Sequence, residues 1–306
     1  MTTKPRRVVV AINPSASFGA SRDVGPAVVQ TLRAMGHEVT SLTEPDFESL
    51  LESAHAAVRA RPDALVVVGG DGMVHLGVNL VAGTRVPLGI VPSGTGNDMA
   101  RGLGIPHDDT EAAIRMLGDA LERPARVIDA VRIEWTDADG SRGERRFACA
   151  LSAGFDAAVN ERANLMRRPK GASRYVIALL AELARLRPAH YRVALDGEVL
   201  EQDALMVSAG NNVSLGGGMK ITPDAVLDDG LLDVMIVAPM SRAKFLRLFP
   251  KVFQGAHTTL PVVSMRRARR IRIEADRPIA VYADGERIAP LPVDLEVEPG
   301  VLRVLA

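Results

Sequence analysis

The 306-residue sequence has a single cysteine, no net charge and no long apolar run, and each shortage argues against a class of protein. Its single cysteine, Cys149, cannot form an intrachain disulfide, which is typical of a protein in a reducing compartment. The 37 basic and 37 acidic side chains cancel, which argues against broad electrostatic binding of nucleic acid. Nowhere do about 20 apolar residues follow one another, so the sequence predicts no transmembrane segment. We therefore expect a soluble cytoplasmic protein without a nucleic-acid partner.

The first part of the chain alternates apolar strands with helices. Strands are predicted over residues 8–12, 38–42, 64–68 and 88–91, and helices over 24–35, 47–60, 73–82 and 110–120. This order predicts an open parallel sheet with helices on both faces. Sheets of this kind bind their ligands at the carboxyl ends of the strands.

Near residue 127 the pattern changes to short strands and turns. Strands are predicted over residues 127–133, 191–195, 204–208, 232–237, 270–274, 279–283, 295–297 and 301–305, and helices over 173–186 and 242–249. The dipeptides Asp196-Gly197 and Asp284-Gly285 predict hairpin turns. The predicted fold class is therefore α/β plus β. An α/β nucleotide-binding domain spans 1–128, a mainly antiparallel β domain spans 129–290, and residues 291–306 are candidates to pack back on the first domain.

A glycine-rich tetrapeptide, Gly69-Gly70-Asp71-Gly72, follows the third predicted strand. Glycines let backbone N–H groups approach a phosphate closely, and the helix that follows adds positive potential. Asp71 suits a nucleotide hydroxyl or a magnesium ion. Taken alone, the loop is equally well explained as a tight turn, because it matches neither the Walker loop nor the dinucleotide fingerprint.

A second glycine-rich turn, Gly94-Thr95-Gly96-Asn97-Asp98, follows the fourth predicted strand. Thr95 and Asn97 carry side chains that can hydrogen-bond phosphates, and Asp98 adds a second carboxylate. Both loops are expected at the same edge of the parallel sheet. Together they predict a nucleotide-binding kinase.

These motifs, in this order, resemble the diacylglycerol kinase catalytic-domain family over nearly the whole chain. That family includes bacterial diacylglycerol and related lipid kinases, the sphingosine kinases and, more distantly, the NAD kinases. The matching segments are 12–14 (INP), 68–72 (VGGDG), 89–101 (GIVPSGTGNDMAR), 152–156 (SAGFD), 222–233 (TPDAVLDDGLLD) and 283–286 (ADGE). The resemblance implies that ATP binds in a cleft between the two domains. It also implies that the γ-phosphoryl group is transferred to a lipid hydroxyl with the help of Mg²⁺.

The resemblance also assigns roles to single residues. Glu286 is implied as the catalytic base. Asp71, Asp98 and Asp129 are implied as catalytic acidic residues, the last two in a network that orders magnesium and water. The implied nucleotide contacts are Asn13, Pro14, Thr43, Gly69, Gly70, Asp71, Gly72, Met73, Gly94, Thr95, Gly96 and Asn97. A structural magnesium loop is implied at the Asp229 carboxylate and the carbonyls of Val226 and Leu231.

The sequence departs from the family after the first loop. Where the family has Thr and then Asn-Glu, this chain has Met73, Val74, His75 and Leu76. Either the loop binds phosphate through backbone amides alone, or the protein is an impaired kinase that acts as a nucleotide- or lipid-binding regulator. From the residues alone, Glu286 is also explained as a solvated strand position, and 228–230 as a polar turn.

The expected partner is a lipid substrate at the membrane surface, reached by transient peripheral association. A basic stretch over 162–174 precedes a helix with apolar residues at three- and four-residue spacing, which fits an interfacial helix and an ordinary packed helix equally well. The basic run 266–270 suits anionic headgroups or a solvated edge strand. Diacylglycerol is the expected acceptor, with a sphingoid base or phosphatidylglycerol as alternatives. A homodimer is left open.

Overall fold

The computed structural model describes residues 4–13, 23–166, 168 and 172–306. The chain divides into two compact units, residues 1–130 with 299–306, and residues 131–298. Each has a buried apolar core of its own. Cys149 is buried.

The first unit is built on a parallel sheet. Its elements are β1 (Arg7–Ile12), α1 (Val24–Ala34), β2 (Glu38–Leu42), α2 (Phe47–Arg59), β3 (Ala64–Gly69), α3 (Asp71–Val81), β4 (Leu88–Pro92), α4 (Asp98–Leu103), α5 (Thr110–Leu121) and the start of β5 (Arg126–Thr136). The strands lie in the order β2-β1-β3-β4, all parallel. All the residues of β3 and β4 are buried, as expected for strands covered on both faces.

Local sequence signals set the helix ends of this unit. The Asp46 carboxylate accepts a hydrogen bond from the Ser49 N–H, and Asp109 accepts one from the Ala112 N–H, so both aspartates are N-caps. Gly36 has a φ of 90° just beyond the end of α1, the left-handed conformation in which glycine typically ends a helix.

The second unit is mainly antiparallel. Its elements are the rest of β5, β6 (Arg142–Phe147), β7 (Ala150–Gly154), α6 (Phe155–Leu165), α7 (Ala172–Ala184), β8 (Ala189–Leu195), β9 (Glu198–Ala204), β10 (Met206–Gly210), β11 (Leu232–Val237), α8 (Arg242–Leu248), β12 (Val263–Ala268), β13 (Arg270–Ala275), β14 (Ala280–Ala283), β15 (Glu286–Pro290) and the first half of β16 (Val293–Leu305). One sheet has the order β12-β11-β10-β7-β14-β15. In the other, β13 pairs with β8 and β16, and β8 pairs with β9.

The structure corrects the sequence reading of β16 and α6, and it contains strands that the sequence pattern does not predict: β6, β7, β9, β12 and β15. The strands predicted over 295–297 and 301–305 are one strand, β16, which continues through Pro299-Gly300. Its last residues pair in parallel with β4, Val304 opposite Leu88. Helix α6 is absent from the prediction, because its sequence mixes small, polar and charged residues without a clear apolar stripe.

Candidate functional site

The two glycine loops are in contact at the carboxyl ends of β3 and β4. The Ser93 N–H donates to the Gly69 carbonyl at 2.9 Å. A Cβ built on Gly94 would overlap the Cα of Gly70. Backbone meets backbone at this point, so the close approach of the loops requires glycine.

Asp71 joins the two loops through its carboxylate. It lies in the first turn of α3 and accepts hydrogen bonds from the N–H groups of Asn97 at 3.1 Å and Asp98 at 2.8 Å. Those two residues open α4, so Asp71 acts as its N-terminal cap from a neighbouring helix. A Cβ on Gly96 would overlap the same carboxylate. In this structure Asp71 is a positioning residue for the second loop.

Asn97 closes the second loop on itself. Its side-chain amide donates to the Gly94 carbonyl at 2.9 Å, and its side-chain oxygen accepts from the Gly94 N–H at 3.1 Å. The residue has a φ of 54°, a conformation that asparagine tolerates better than most residues. The Asn97 amide, which we expected to bond phosphate, is thus engaged within its own loop.

The remaining N–H groups of the loops suit an anion. In the hydrogen bonds of the described ranges, the N–H groups of Thr95 and Gly96 have no protein partner. Thr95 is exposed. Helix α3 begins at Asp71, directly after Gly70, so its N-terminal amides lie in the adjoining loop. Unpartnered amides beside a helix N-terminus form a typical phosphate-binding surface.

The residues that depart from the family belong to the core of α3. Met73 and Leu76 are 2% and 3% exposed, and Met73 packs against Gly69. The His75 ring lies 3.3 Å from the Asn79 side-chain amide. With these side chains occupied in packing, the backbone amides are the groups that this loop has left to offer an anion.

Two further predicted contacts lie at the same edge of the sheet. Asn13 follows β1, and its N–H donates to the Val68 carbonyl at 3.1 Å. Thr43 follows β2, is exposed, and has its hydroxyl 3.3 Å from that of Ser41. Pro14 and the basic residues Arg167 and Lys170 lie outside the described residues.

Two predicted acidic residues of the first unit are buried. Asp98 is 3% exposed, and its carboxylate lies beside Gly96. Asp129 is 2% exposed and accepts a hydrogen bond from the Gly300 N–H at 2.8 Å. A buried carboxylate needs such partners, because an isolated charge would be costly to bury.

In the second unit, Glu286 begins β15 and is exposed. The turn before it, Asp284-Gly285, has φ values of 50° and 83°, as a hairpin turn of this kind requires. Asp284 is buried and accepts hydrogen bonds from the N–H groups of residues 148, 149 and 150 at 2.9, 2.9 and 3.1 Å. Asp284 therefore anchors the hairpin that presents Glu286.

Sequence reasoning did not assign that anchoring role to Asp284, nor a structural one to Asn211 and Asn212. Asn211 is fully buried and donates from its side chain to the Ala148 carbonyl at 3.0 Å. The backbone N–H groups of both asparagines donate to the Cys149 carbonyl. The available sequence signals were the Asp-Gly turn and a polar pair after an apolar strand, and neither reveals its distant partner.

The predicted magnesium loop is held by protein groups. One Asp229 oxygen accepts from the Leu231 N–H at 3.0 Å, and the other forms an ion pair with Arg267. Val226 is exposed. Burial raises the pKa of the neighbouring Asp233, which lies 3.5 Å from the same guanidinium. Here the half-exposed Arg267 guanidinium neutralises the Asp229 carboxylate, so the magnesium loop stays a prediction, and no reaction step is routed through a metal there.

Metal-ligating side chains are not clustered elsewhere in the described part of the chain. No group of three or more His, Cys, Asp or Glu residues is arranged to hold an ion there. Magnesium in nucleotide sites commonly uses one or two carboxylates together with phosphates and water, so it does not need such a group.

Comparison with known proteins gives consistent matches to both units. Residues 7–130 match the family described as diacylglycerol kinase catalytic domain, and residues 149–306 match the YegS C-terminal NAD kinase beta sandwich-like domain. A diacylglycerol kinase of Mycobacterium tuberculosis (strain ATCC 25618 / H37Rv) is 41% identical over 300 residues, covering 98% of this chain and 94% of the relative. A Stenotrophomonas maltophilia protein named as a YegS-like lipid kinase is 30% identical over 252 residues, 79% of this chain and 78% of the relative.

A solved structure shows the same fold. The crystal structure of a diacylglycerol kinase from Bacillus anthracis superimposes with a TM-score of 0.72 at 22% identity, covering 99% of this chain and 97% of that one. Identity at this level supports the fold and not the substrate.

Proposed function

The chain belongs to the diacylglycerol kinase catalytic-domain family, and from this membership we propose that it is an ATP-dependent lipid kinase that converts diacylglycerol to phosphatidic acid. The observation that carries the proposal is the contact between the two glycine loops, which presents backbone amides at the end of a parallel sheet. The relative named as a diacylglycerol kinase at 41% identity supports the choice of acceptor.

In the proposed reaction, the acceptor hydroxyl oxygen forms a bond to the γ-phosphorus. The bond between that phosphorus and the β–γ bridging oxygen breaks, and ADP leaves. The hydroxyl proton passes to Glu286, the base in the proposal. Phosphoryl transfer depends mainly on positioning and on stabilising charge, which the loop amides are suited to provide.

The acidic residues of the first unit have separate roles in this proposal. Asp71 holds the second loop through the N–H groups of Asn97 and Asp98. Asp98 and Asp129 are proposed as the network that orders water near the phosphates. Mg²⁺ is proposed as part of the nucleotide substrate, where it screens the phosphate charge.

The test measures transfer of the γ-phosphoryl group from radiolabelled ATP to vesicles that contain diacylglycerol. We expect labelled phosphatidic acid with the wild type. Glu286→Gln should lower turnover by about 10²- to 10⁴-fold and leave ATP binding unchanged, because only the proton acceptor is lost.

The chain supplies a matched control for this variant. Glu198 also follows an Asp-Gly hairpin and begins a strand, β9. Glu198→Gln should retain wild-type turnover. Equal loss in both variants, or full activity of Glu286→Gln, would contradict the role of Glu286.

The second candidate is a nucleotide- or lipid-binding regulator, suggested by the apolar residues Met73 and Leu76 of α3, which follow the first loop. Its signature is ATP binding by the wild type without transfer to diacylglycerol, a sphingoid base or phosphatidylglycerol. Transfer to a sphingoid base or to phosphatidylglycerol instead would support the kinase activity but with a different lipid as the acceptor.

A further inference from the structure

A groove of about 1500 Å³ lies along the amino ends of the strands of the first unit. Its walls include residues directly before β1, β3, β4 and β5, so we call it the amino-edge groove. The glycine loops follow the carboxyl ends of β3 and β4. A strand of six residues such as β3 is about 20 Å long, so this groove is separate from the loops.

The amino-edge groove is strongly basic. It is lined by six arginines and only two acidic residues, Asp63 and Glu122, a difference of +4. The arginines are Arg6, Arg59, Arg61, Arg85, Arg123 and Arg303. Because the whole chain has a formal net charge of zero, this charge is a local concentration.

Two of these arginines have structural partners. The Arg123 guanidinium donates to the Asp119 carbonyl at 3.2 Å, and Arg303 donates to the Thr84 carbonyl at 3.0 Å. One of the two acids is also engaged, since Asp63 accepts from the Arg7 N–H at 2.7 Å.

Three other arginines hold their guanidinium groups in solvent. Arg59, Arg61 and Arg85 are exposed, and within the described ranges their side chains form no hydrogen bond or ion pair. Arg61 has a φ of 52° after the end of α2, a position where helices favour glycine. Local stability therefore does not explain an arginine at this position.

The floor of the groove is apolar. Val58, Val86, Leu121 and Leu305 line it and are themselves buried. A basic rim over an apolar floor suits a ligand that carries phosphate on an organic framework. Guanidinium groups bind phosphate well because their planar fork matches two phosphate oxygens.

We propose that the amino-edge groove is a second anion site, which binds a phosphate-bearing ligand through Arg59, Arg61 and Arg85. The shared chemistry is a phosphate group, carried either by a soluble anion or by a lipid headgroup. This site does not depend on the proposed kinase activity, because none of its residues belongs to the glycine loops.

The test compares the double variant Arg59→Gln/Arg85→Gln with a matched control, Arg115→Gln/Arg145→Gln, which removes two exposed arginines outside the groove. Binding of pyrophosphate is measured by calorimetry. Binding to phosphatidylglycerol vesicles and to phosphatidylcholine vesicles is measured by sedimentation. Circular dichroism checks that each variant folds. If a double variant does not fold, the two corresponding single variants are measured in its place.

We expect the groove variant to lose about tenfold or more in affinity for one of the two phosphate sources, and the control to keep wild-type affinity. Loss of pyrophosphate binding alone identifies a soluble anion. Loss of phosphatidylglycerol binding alone identifies a headgroup. Unchanged binding in the groove variant, equal loss in the control, or no binding by the wild type overturns the proposal. ATP transfer to diacylglycerol, assayed separately, reports on the kinase alone.

Discussion

Asp71, Asp129 and Asp284 each direct a carboxylate at backbone N–H groups that lie far away along the chain. An ionised carboxylate that accepts such bonds is a stronger and more rigid acceptor than a neutral side chain. At the residue scale, these aspartates organise the loops in which the candidate site lies. These carboxylates fix the backbone conformation of the loops, and the loop conformation in turn decides which N–H groups can contact a ligand.

Asp71→Asn tests this role in the first unit. Asparagine keeps one acceptor oxygen but loses the charge that faces two N–H groups, so we expect unfolding free energy to fall by about 1 kcal/mol. ATP affinity should fall as well, because the second loop loses its anchor. Urea unfolding and calorimetric titration with ATP measure the two effects.

Asp109→Asn is the control, because Asp109 also accepts from a backbone N–H at a helix start and asparagine caps equally well. It should change neither quantity appreciably. Wild-type ATP affinity in Asp71→Asn would show that the anchor is dispensable.

His257 makes the stability of the second unit depend on pH. Burial lowers the pKa of His257 below its ordinary value of 6.5, and its Nε2 lies 3.1 Å from the Ile221 carbonyl. Above pH 6.5 the His257 ring is neutral in both the folded and the unfolded state, so the free energy of unfolding is not reduced by its protonation. As the pH falls through that value, the unfolded chain takes up the proton first and stability is lost.

We therefore expect unfolding free energy to decrease from pH 7.5 to 5.5 in the wild type, and to decrease less in His257→Gln. Urea unfolding at several pH values measures the slope. Exposed His55 supplies the control, since His55→Gln should keep the wild-type slope. If His257→Gln has the same change of unfolding free energy with pH as the wild type, other titratable groups cause the pH dependence.

At the element scale, the candidate site of the first unit consists of two strand-to-helix turns, after β3 and after β4, whose backbones are in contact. Strand β3 ends in Gly69, α3 begins at Asp71, and the second turn packs on Gly70. The predicted strands and helices of the first unit agree with the structure to within two residues at each end, and the bounds of β2 and β11 match the prediction. Helix α3 begins two residues before its predicted start, because glycines give no helical signal.

Gly94→Ala tests the contact between the turns. Its methyl group would overlap the Cα of Gly70, and backbone on both sides cannot move aside as a side chain can. We expect the loops to separate and ATP affinity to fall by about tenfold or more. Calorimetric titration with ATP measures the loss.

Gly118→Ala, in the middle of α5, is the matched control. Its methyl group would meet only the flexible end of Met35, which can move. ATP affinity should stay at the wild-type value. If Gly94→Ala binds ATP as the wild type does, the loop contact is not needed for binding.

At the scale of the whole molecule, each unit buries its own core, and no helix in the described part of the chain has the length and apolar character to span a bilayer. A nucleotide that binds only the folded chain adds to its stability by mass action.

ATP with Mg²⁺ at 100 times its dissociation constant should therefore raise the unfolding free energy by about 2.7 kcal/mol. Thermal melting with and without nucleotide measures the shift in Tm. AMP, which lacks the phosphates that the loops are proposed to bind, should raise Tm much less. An equal shift with AMP would place recognition on the nucleoside and not on the glycine loops.

Local pattern in the sequence determined the β-α order of the first unit, the glycine loops after β3 and β4, the two Asp-Gly hairpins and the family. These features depend on residues that are neighbours along the chain. The tertiary structure alone decided the partners of the carboxylates: Asp71 caps a helix 26 residues away, and Asp284 bonds an amide 134 residues away. It also assembled the amino-edge groove from segments spread between residues 6 and 305. Such pairings depend on strand order and register, which bring distant residues together without leaving a local pattern.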